Sequence, residues 1–147
     1  MQCDTYNEHS IYQIAEVANL LSELEAFISI HYNEISVAFV TEKTICALHD
    51  QFLSNPDPTD VITFPTDEMD EERTGEICIS VDEALKYTHL HSLEEELTLY
   101  LVHGWLHLAG YDDIEEEDRN QMRVMEQKVL DYLNTQDYKR VDVKKIA

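Results

Sequence analysis

Residues 92–113 read SLEEELTLYLVHGWLHLAGYDD, and this stretch carries both an element and a candidate site. Ser92 with Glu95 three residues on is a capping box, so a long helix is predicted to start there and to run through Leu97, Leu101 and Leu108. Gly110 is its predicted stop. His103 and His107 stand at i and i+4, on one helix face a turn apart, so both imidazoles can reach a single metal ion at ~2.0–2.1 Å. A left-handed Gly110 would turn the chain back and let Asp113 supply a third ligand, leaving a fourth position open to water. An open position marks a catalytic rather than a structural site, because the ion can bring the pKa of bound water to ~7.

A plainer reading stands beside that one. His103 and His107 are then core histidines, and Asp113 is the N-cap of the next helix with Glu116 completing a capping box; Asp112 can do the same. His89 and His91 are either alternative third ligands or parts of a solvated loop, while His9, His31 and His49 have no partner in sequence and read as structural. A protease of the HExxH type carries its general base directly after the first histidine. Position 104 is Gly, which has no side chain to accept a proton, so zincin-type proteolysis is disfavoured.

Working outward, three glycines and three prolines are sparse punctuation. Ser10 caps a predicted helix whose apolar positions Ile11, Ile14, Ala15, Val17, Ala18, Leu21 and Leu24 keep a helical period. Residues 35–40 read as a strand and 43–52 as a short helix carrying Ile45, Ala47, Leu48 and Phe52. The turn Asn55-Pro56-Asp57-Pro58 leads to a strand at 61–64, an acidic loop at 66–72 and a strand at 76–81. Asp82 is the candidate cap of a short helix through Tyr87. The last helix, 114–133, sets Met122, Met125, Val129 and Leu133 on one face and gathers acids in its first turn, where the helix dipole favours anions. A short basic tail occupies about 137–147, with Lys139, Arg140, Lys144 and Lys145.

Composition bounds the rest. The chain has 147 residues, 31 Asp plus Glu against 10 Lys plus Arg, and a formal net charge of -21, so residues 1–147 are expected to form one domain. With 44% hydrophobic residues it can fill a core, which excludes disorder by composition. The acid excess excludes coating of nucleic acid or anionic membrane by bulk charge; any polyanion must be captured locally. Cys3, Cys46 and Cys78 are odd in number and include no CxxC pair, against a disulfide framework. Met1-Gln2-Cys3-Asp4 has neither region of an export signal, and no window approaches the ~20 apolar residues of a spanning helix. A cytoplasmic chain that does not engage membranes is expected.

The segment from His103 to Asp113 resembles the HGxLHLxGYDH signature of the YbeY family, zinc metalloproteins regarded as single-strand-specific endoribonucleases of ribosomal RNA maturation. Leu48, Phe52 and Pro58-Thr59-Asp60-Val61-Ile62-Thr63-Phe64-Pro65 are similar to its LN…YR…PTDVLSFP block, Gly75-Glu76-Ile77-Cys78-Ile79 to its GDI-I strand, and Glu95 and Leu97 to its approach to the histidines. Order and spacing agree over roughly residues 35–133. The resemblance implies an α+β fold, a small mixed β-sheet packed against several α-helices, with a metal site at the end of the histidine-bearing helix.

The same resemblance makes His103 and His107 ligands of one Zn²⁺ per chain. The family's third ligand is a histidine where this chain has Asp113, a harder oxygen donor that opens the site to another divalent metal and predicts a shifted activity optimum. Leu53 stands where the family has an arginine and His49 where it usually has Asn. Arg73 or Lys43 either compensates from a nearby loop or is plain surface charge; Thr59 and Asp60 either shape the cleft or form a structural turn. The implied activity is that of a metal-dependent endoribonuclease acting on single-stranded ribosomal RNA. Its implied partners are the ribosomal small subunit, a basic ribosomal protein and a maturation GTPase. Two alternatives stay open: a non-catalytic assembly factor with those partners, and a metallohydrolase of another substrate.

Overall fold

The computed structural model describes residues 1–66 and 72–146. In chain order the elements are β1 (Gln2–Asn7), β2 (Tyr12–Ala15), α1 (Val17–Phe27), β3 (Glu34–Val40), α2 (Glu42–Leu53), β4 (Val61–Pro65), β5 (Thr74–Ser80), α3 (Val81–Leu85), α4 (Leu93–Leu108), α5 (Glu116–Leu133) and β6 (Asp142–Lys145). A four-stranded sheet has the order β1-β3-β5-β4, and β2 and β6 form a separate pair. The first three strands are parallel and β4 is antiparallel to β5, so the expected mixed sheet of an α+β fold is present.

The central strands are buried on both faces, which makes the sheet the middle of three layers. Ile77 and Ile79 of β5 join the main core with Ile35, Val37 and Phe39 of β3, under Leu20, Leu21 and Leu24 of α1 and Leu97, Leu101 and Trp105 of α4. Cys78 points the other way, to a smaller core with Val40, Ile62 and Ile45 of α2. Burial there pushes the Cys78 thiol up to about 11, and all three cysteines are free. Trp105 is fully buried, and its indole N–H donates to the Ile28 carbonyl at 3.0 Å, tying α4 to the end of α1.

Several expectations are corrected. The helix read from Ser10 starts only at Val17, and residues 12–15 are strand β2, paired antiparallel with β6. Glu16 between them has φ 67, a left-handed turn that breaks any continuous helix. Strand β1 lacks the apolar alternation that would announce it; pairing with β3 supplies its order. The segment at 137–147 is not simply a tail: it contains β6, and Val141 is fully buried with its N–H donating to Thr98 Oγ1 at 3.1 Å. Ser80, not Asp82, caps α3, by accepting from the Glu83 N–H, while Asp82 accepts from the Glu42 N–H of α2. Most of the acidic loop at 66–72 lies outside the described residues.

Candidate metal centre

Helix α4 begins as read, with the Ser92 side chain accepting from the Glu95 N–H and Glu95 reaching back to the Ser92 N–H. The Ser92 hydroxyl, donating to Glu95 Oε1 at 2.9 Å, and then the Ser92 N–H hold the Glu95 carboxyl below its ordinary range. The helix is buried along most of its length, so its last two turns carry His103 and His107 to the edge of the core. Gly104 faces the sheet: a Cβ there would lie 2.7 Å from Ile77 Cγ2 and 3.3 Å from Val61 Cγ2. No glutamate fits this position, and one placed there would point into the sheet rather than at the histidines.

Beyond α4 the chain turns as expected. Gly110 has φ +104, a conformation that costs an L side chain strain. The Tyr111 N–H then donates to the Leu106 carbonyl at 3.0 Å, and Asp112 Oδ1 accepts from the Ile114 N–H at 2.9 Å. Glu115, not Asp113, is the N-cap residue of α5, with no side-chain cap bond. Asp113 is thereby free to face α4, and its Oδ2 lies 3.3 Å from His103 Nε2 and 3.6 Å from His107 Nε2. The two Nε2 atoms are 3.0 Å apart.

Each histidine is oriented from behind. The His107 Nδ1–H donates to the Tyr111 carbonyl at 3.1 Å, and the His103 Nδ1–H donates to Glu126 Oε1 at 2.5 Å. Both acceptors lack protons to give, so Nδ1 carries the hydrogen in each neutral ring and both Nε2 lone pairs aim at the space shared with Asp113. With both rings neutral, three lone-pair donors converge with no hydrogen between them, and a cation among them takes the place that a proton on His103 Nε2 otherwise fills. An ideal tetrahedral face around an ion at ~2.0–2.1 Å has edges of about 3.3–3.4 Å, and the observed edges of 3.0, 3.3 and 3.6 Å straddle that value. The donor set fits a divalent metal with nitrogen and oxygen ligands.

His103 and Asp113 of the cluster line a cavity of about 240 Å³ together with Asp60, Leu99, Tyr100, Arg119, Met122, Arg123 and Glu126. Burial lowers the affinity of the His103 ring for a proton, but the Glu126 hydrogen bond and charge, with Asp60 and Asp113, outweigh it and raise its pKa above the ordinary value. Burial, with Glu96 and Asp60 nearby, pushes the Tyr100 phenol far above its usual range, so it stays an O–H donor. Arg119 donates to the Ile114 carbonyl at 2.7 Å. Arg123 has no ion-pair partner within 4 Å among the described residues.

Other candidates are not brought together here. His91 approaches Glu96 at 3.8 Å and His89 is exposed in the turn before α4; neither joins the cluster. His49 Nδ1 donates to the Asp57 carbonyl at 2.7 Å. Leu53 is 60% exposed at the end of α2, outside the cavity lining. Arg73 lies 4.3 Å over the Tyr32 ring and donates to the His31 carbonyl, and Lys43 is exposed in the first turn of α2. Asp60 does reach the cavity, while its Oδ1 accepts from the Val61 N–H. Glu126 went unread in the sequence, although a signal existed: it follows Met122 by four and precedes Val129 by three, a carboxylate on the buried face of α5.

Residues 3–134 match the family described as Endoribonuclease YbeY. The Endoribonuclease YbeY of Protochlamydia amoebophila is 45% identical over 91 residues, which are 58% of this chain and 61% of that one. That of Chlamydia pneumoniae is 34% identical over 126 residues, 80% of each chain. A solution structure of a Thermotoga maritima protein superposes with a TM-score of 0.57 at 26% identity, covering 93% of this chain and 95% of the other.

Proposed function

The chain belongs to the endoribonuclease YbeY family, which makes it by class a hydrolase of RNA, and from that premise we propose that His103, His107 and Asp113 hold one divalent metal ion, zinc first among them, where single-stranded ribosomal RNA is cut. The observation that supports this most strongly is the pair of Nδ1 hydrogen bonds, to Glu126 and to the Tyr111 carbonyl, which turn both Nε2 lone pairs toward Asp113. Such an ion supplies Lewis-acid chemistry, drawing charge from a phosphodiester and making water nucleophilic near neutral pH.

The chain's own residues do the rest. Glu126 and the Tyr111 carbonyl keep the two imidazoles in one tautomer and one orientation. Arg119 and Arg123 bring the cationic head groups of the cavity; they draw in a phosphate and orient it over the cluster. Arg119 spends one donor on the Ile114 carbonyl and keeps the remainder of its fork for the substrate. Tyr100, held protonated, lines the same cavity with its O–H turned to the Glu96 carboxylate. A chain of net charge -21 meets naked RNA slowly, so delivery is assigned to the ribosomal small subunit in the cytoplasm, through a basic ribosomal protein or a maturation GTPase.

Elemental analysis of the purified protein and of His107→Ala, with cleavage of single-stranded RNA by both, tests the reading. Near-stoichiometric metal and cutting in the wild type, both lost in the variant, are expected; a wild type without metal overturns it. The exposed Leu53, where the resemblance implies an arginine, favours one second reading, a non-catalytic assembly factor. That reading prevails if the metal-loaded protein leaves RNA intact even with small subunits present.

A further inference from the structure

A second cavity adjoins the metal cavity. It has a volume of about 240 Å³, shares Leu99 with the first, and lies between α4, α5 and the segment that leads into β6. Its lining includes Lys139, Arg140, His91, Gln127 and Asn134. Among the described residues neither the Lys139 nor the Arg140 head group has an ion-pair partner within 4 Å. We propose that this cavity is a second phosphate subsite, so that one RNA strand runs from the metal cluster across Leu99 to Lys139 and Arg140. The proposal rests on the endoribonuclease reading and extends it along the substrate.

Three observations carry it. First, the backbone that carries the cations is held in place: Val141, the next residue, is fully buried with its N–H on Thr98 Oγ1, and β6 beyond it pairs with β2. Thr98 itself lines the second cavity, so Lys139 and Arg140 are pinned at its rim. Second, the charge is concentrated. Of ten Lys plus Arg against 31 acids in the chain, Arg119, Arg123, Lys139 and Arg140 line two cavities that touch. Third, the acids that share the second cavity are already engaged. Glu95 is tied to Ser92 by its capping box, and Glu96 is buried; Glu95 also feels the charge of Arg140, so it is the group with which a phosphate competes. A single strand tracking cations from one pocket to the next is the geometry of a backbone-reading groove.

Binding of the metal-loaded protein to 2′-O-methylated oligonucleotides of rising length, followed by fluorescence anisotropy with integrity checked on a gel, tests this. Wild-type affinity should step upward once the strand is long enough to span both cavities. The double substitution Lys139→Ala and Arg140→Ala should remove that step, about tenfold at low salt, leave the shortest oligonucleotides unaffected, and reduce the salt slope by about 0.7–1.4, the value of one to two phosphates. Lys144→Ala with Lys145→Ala removes the same charge from β6 and should keep the step. If both double variants lose affinity equally, or the step survives in the first, the subsite is refuted. A polyglutamate peptide that competes as well as RNA would refute RNA as the occupant. Metal content and RNA cutting are measured on the same preparations. A length step without metal or cutting leaves the subsite standing and removes the catalytic reading, whereas cutting with the step intact in Lys139→Ala/Arg140→Ala removes the subsite alone.

Discussion

The Nδ1–H of His103, near the end of α4, donates to Glu126 Oε1 in the middle of α5 across 2.5 Å. That bond joins two helices and fixes the tautomer of one imidazole, so Glu126 is coupled to the cluster without touching the space among its donors. Removing such a carboxylate typically costs 10–100-fold in metal affinity. Glu126→Ala should therefore weaken metal binding by about 10–100-fold, and Glu126→Gln, which keeps an acceptor but no charge, should fall near the lower end. Competition against a chromophoric chelator measures both, with circular dichroism to establish that the fold is kept; unchanged affinity in Glu126→Ala would show that His103 needs no support from α5.

Asp113 decides the character of the cluster, because it adds a negative charge and an oxygen donor 3.3 and 3.6 Å from the two nitrogens. Asp113→Ala should lower metal affinity by more than either Glu126 variant, since it removes a donor rather than its support. Asp113→His keeps three donors while replacing a charged oxygen with a neutral nitrogen. It should raise the preference for zinc over manganese and move the acid limb of the pH–activity profile to lower pH, because less negative charge opposes deprotonation at the ion. Metal titrations and a pH profile on the three proteins read this directly; stoichiometric, equally tight metal in Asp113→Ala would remove Asp113 from the donor set.

What could be read ahead of the structure follows from the range of the interactions. Helix α4 was legible because its start is local chemistry, Ser92 with Glu95, and its end is one glycine whose positive φ the turn requires. Strand β2 was not: Ile11 and Ile14 fit a helical period as well as a strand, and the choice is made by β6, which lies at the other end of the chain. The basic character of residues 139–145 hid the buried Val141 that anchors them. At the cluster, the pairing of His103 with His107 was legible from spacing alone. The direction of Asp113, toward the histidines or toward the α5 amides, depends on how many residues Gly110 and Asp112 use in turning, which only the folded chain reveals.

Gly104 separates this helix from the HExxH pattern by packing rather than by chemistry. A methyl group there would approach Ile77 Cγ2 to 2.7 Å, and Ile77 is fully buried in the sheet with little freedom to withdraw. Gly104→Ala should destabilise the protein by about 1–3 kcal/mol through overpacking, lowering Tm by roughly 3–10 °C. Ile77→Val removes only Cδ1 and keeps the clashing Cγ2, so adding it should recover none of the loss. Thermal melts of the single and double variants measure both effects, and a Gly104→Ala protein as stable as the wild type would mean that α4 can shift off the sheet at no cost.

Glu8, just after β1, accepts hydrogen bonds from Thr44 Oγ1 at 2.7 Å and Thr41 Oγ1 at 2.8 Å, joining the end of that strand to the first turn of α2. The Thr44 bond foremost, with the Thr41 bonds and the charge of His9, overcomes a small burial penalty and holds the carboxyl below its ordinary value of 4.5. A carboxyl whose pKa is lowered by folding stabilises the folded state above its unfolded value, and that contribution is lost as pH falls through the folded value. Glu8→Gln keeps an oxygen that accepts from the threonines but cannot ionise. The wild type should melt above this variant at pH 7, and the gap should close between about pH 5 and pH 3. Glu8 is exposed, so screening keeps the gap to no more than about 2 °C, and high salt should narrow it further. Melting curves of both proteins across that range decide the matter: a gap that persists at the acid end, or widens as pH falls, would mean that the ionised form of Glu8 is not what the threonines stabilise.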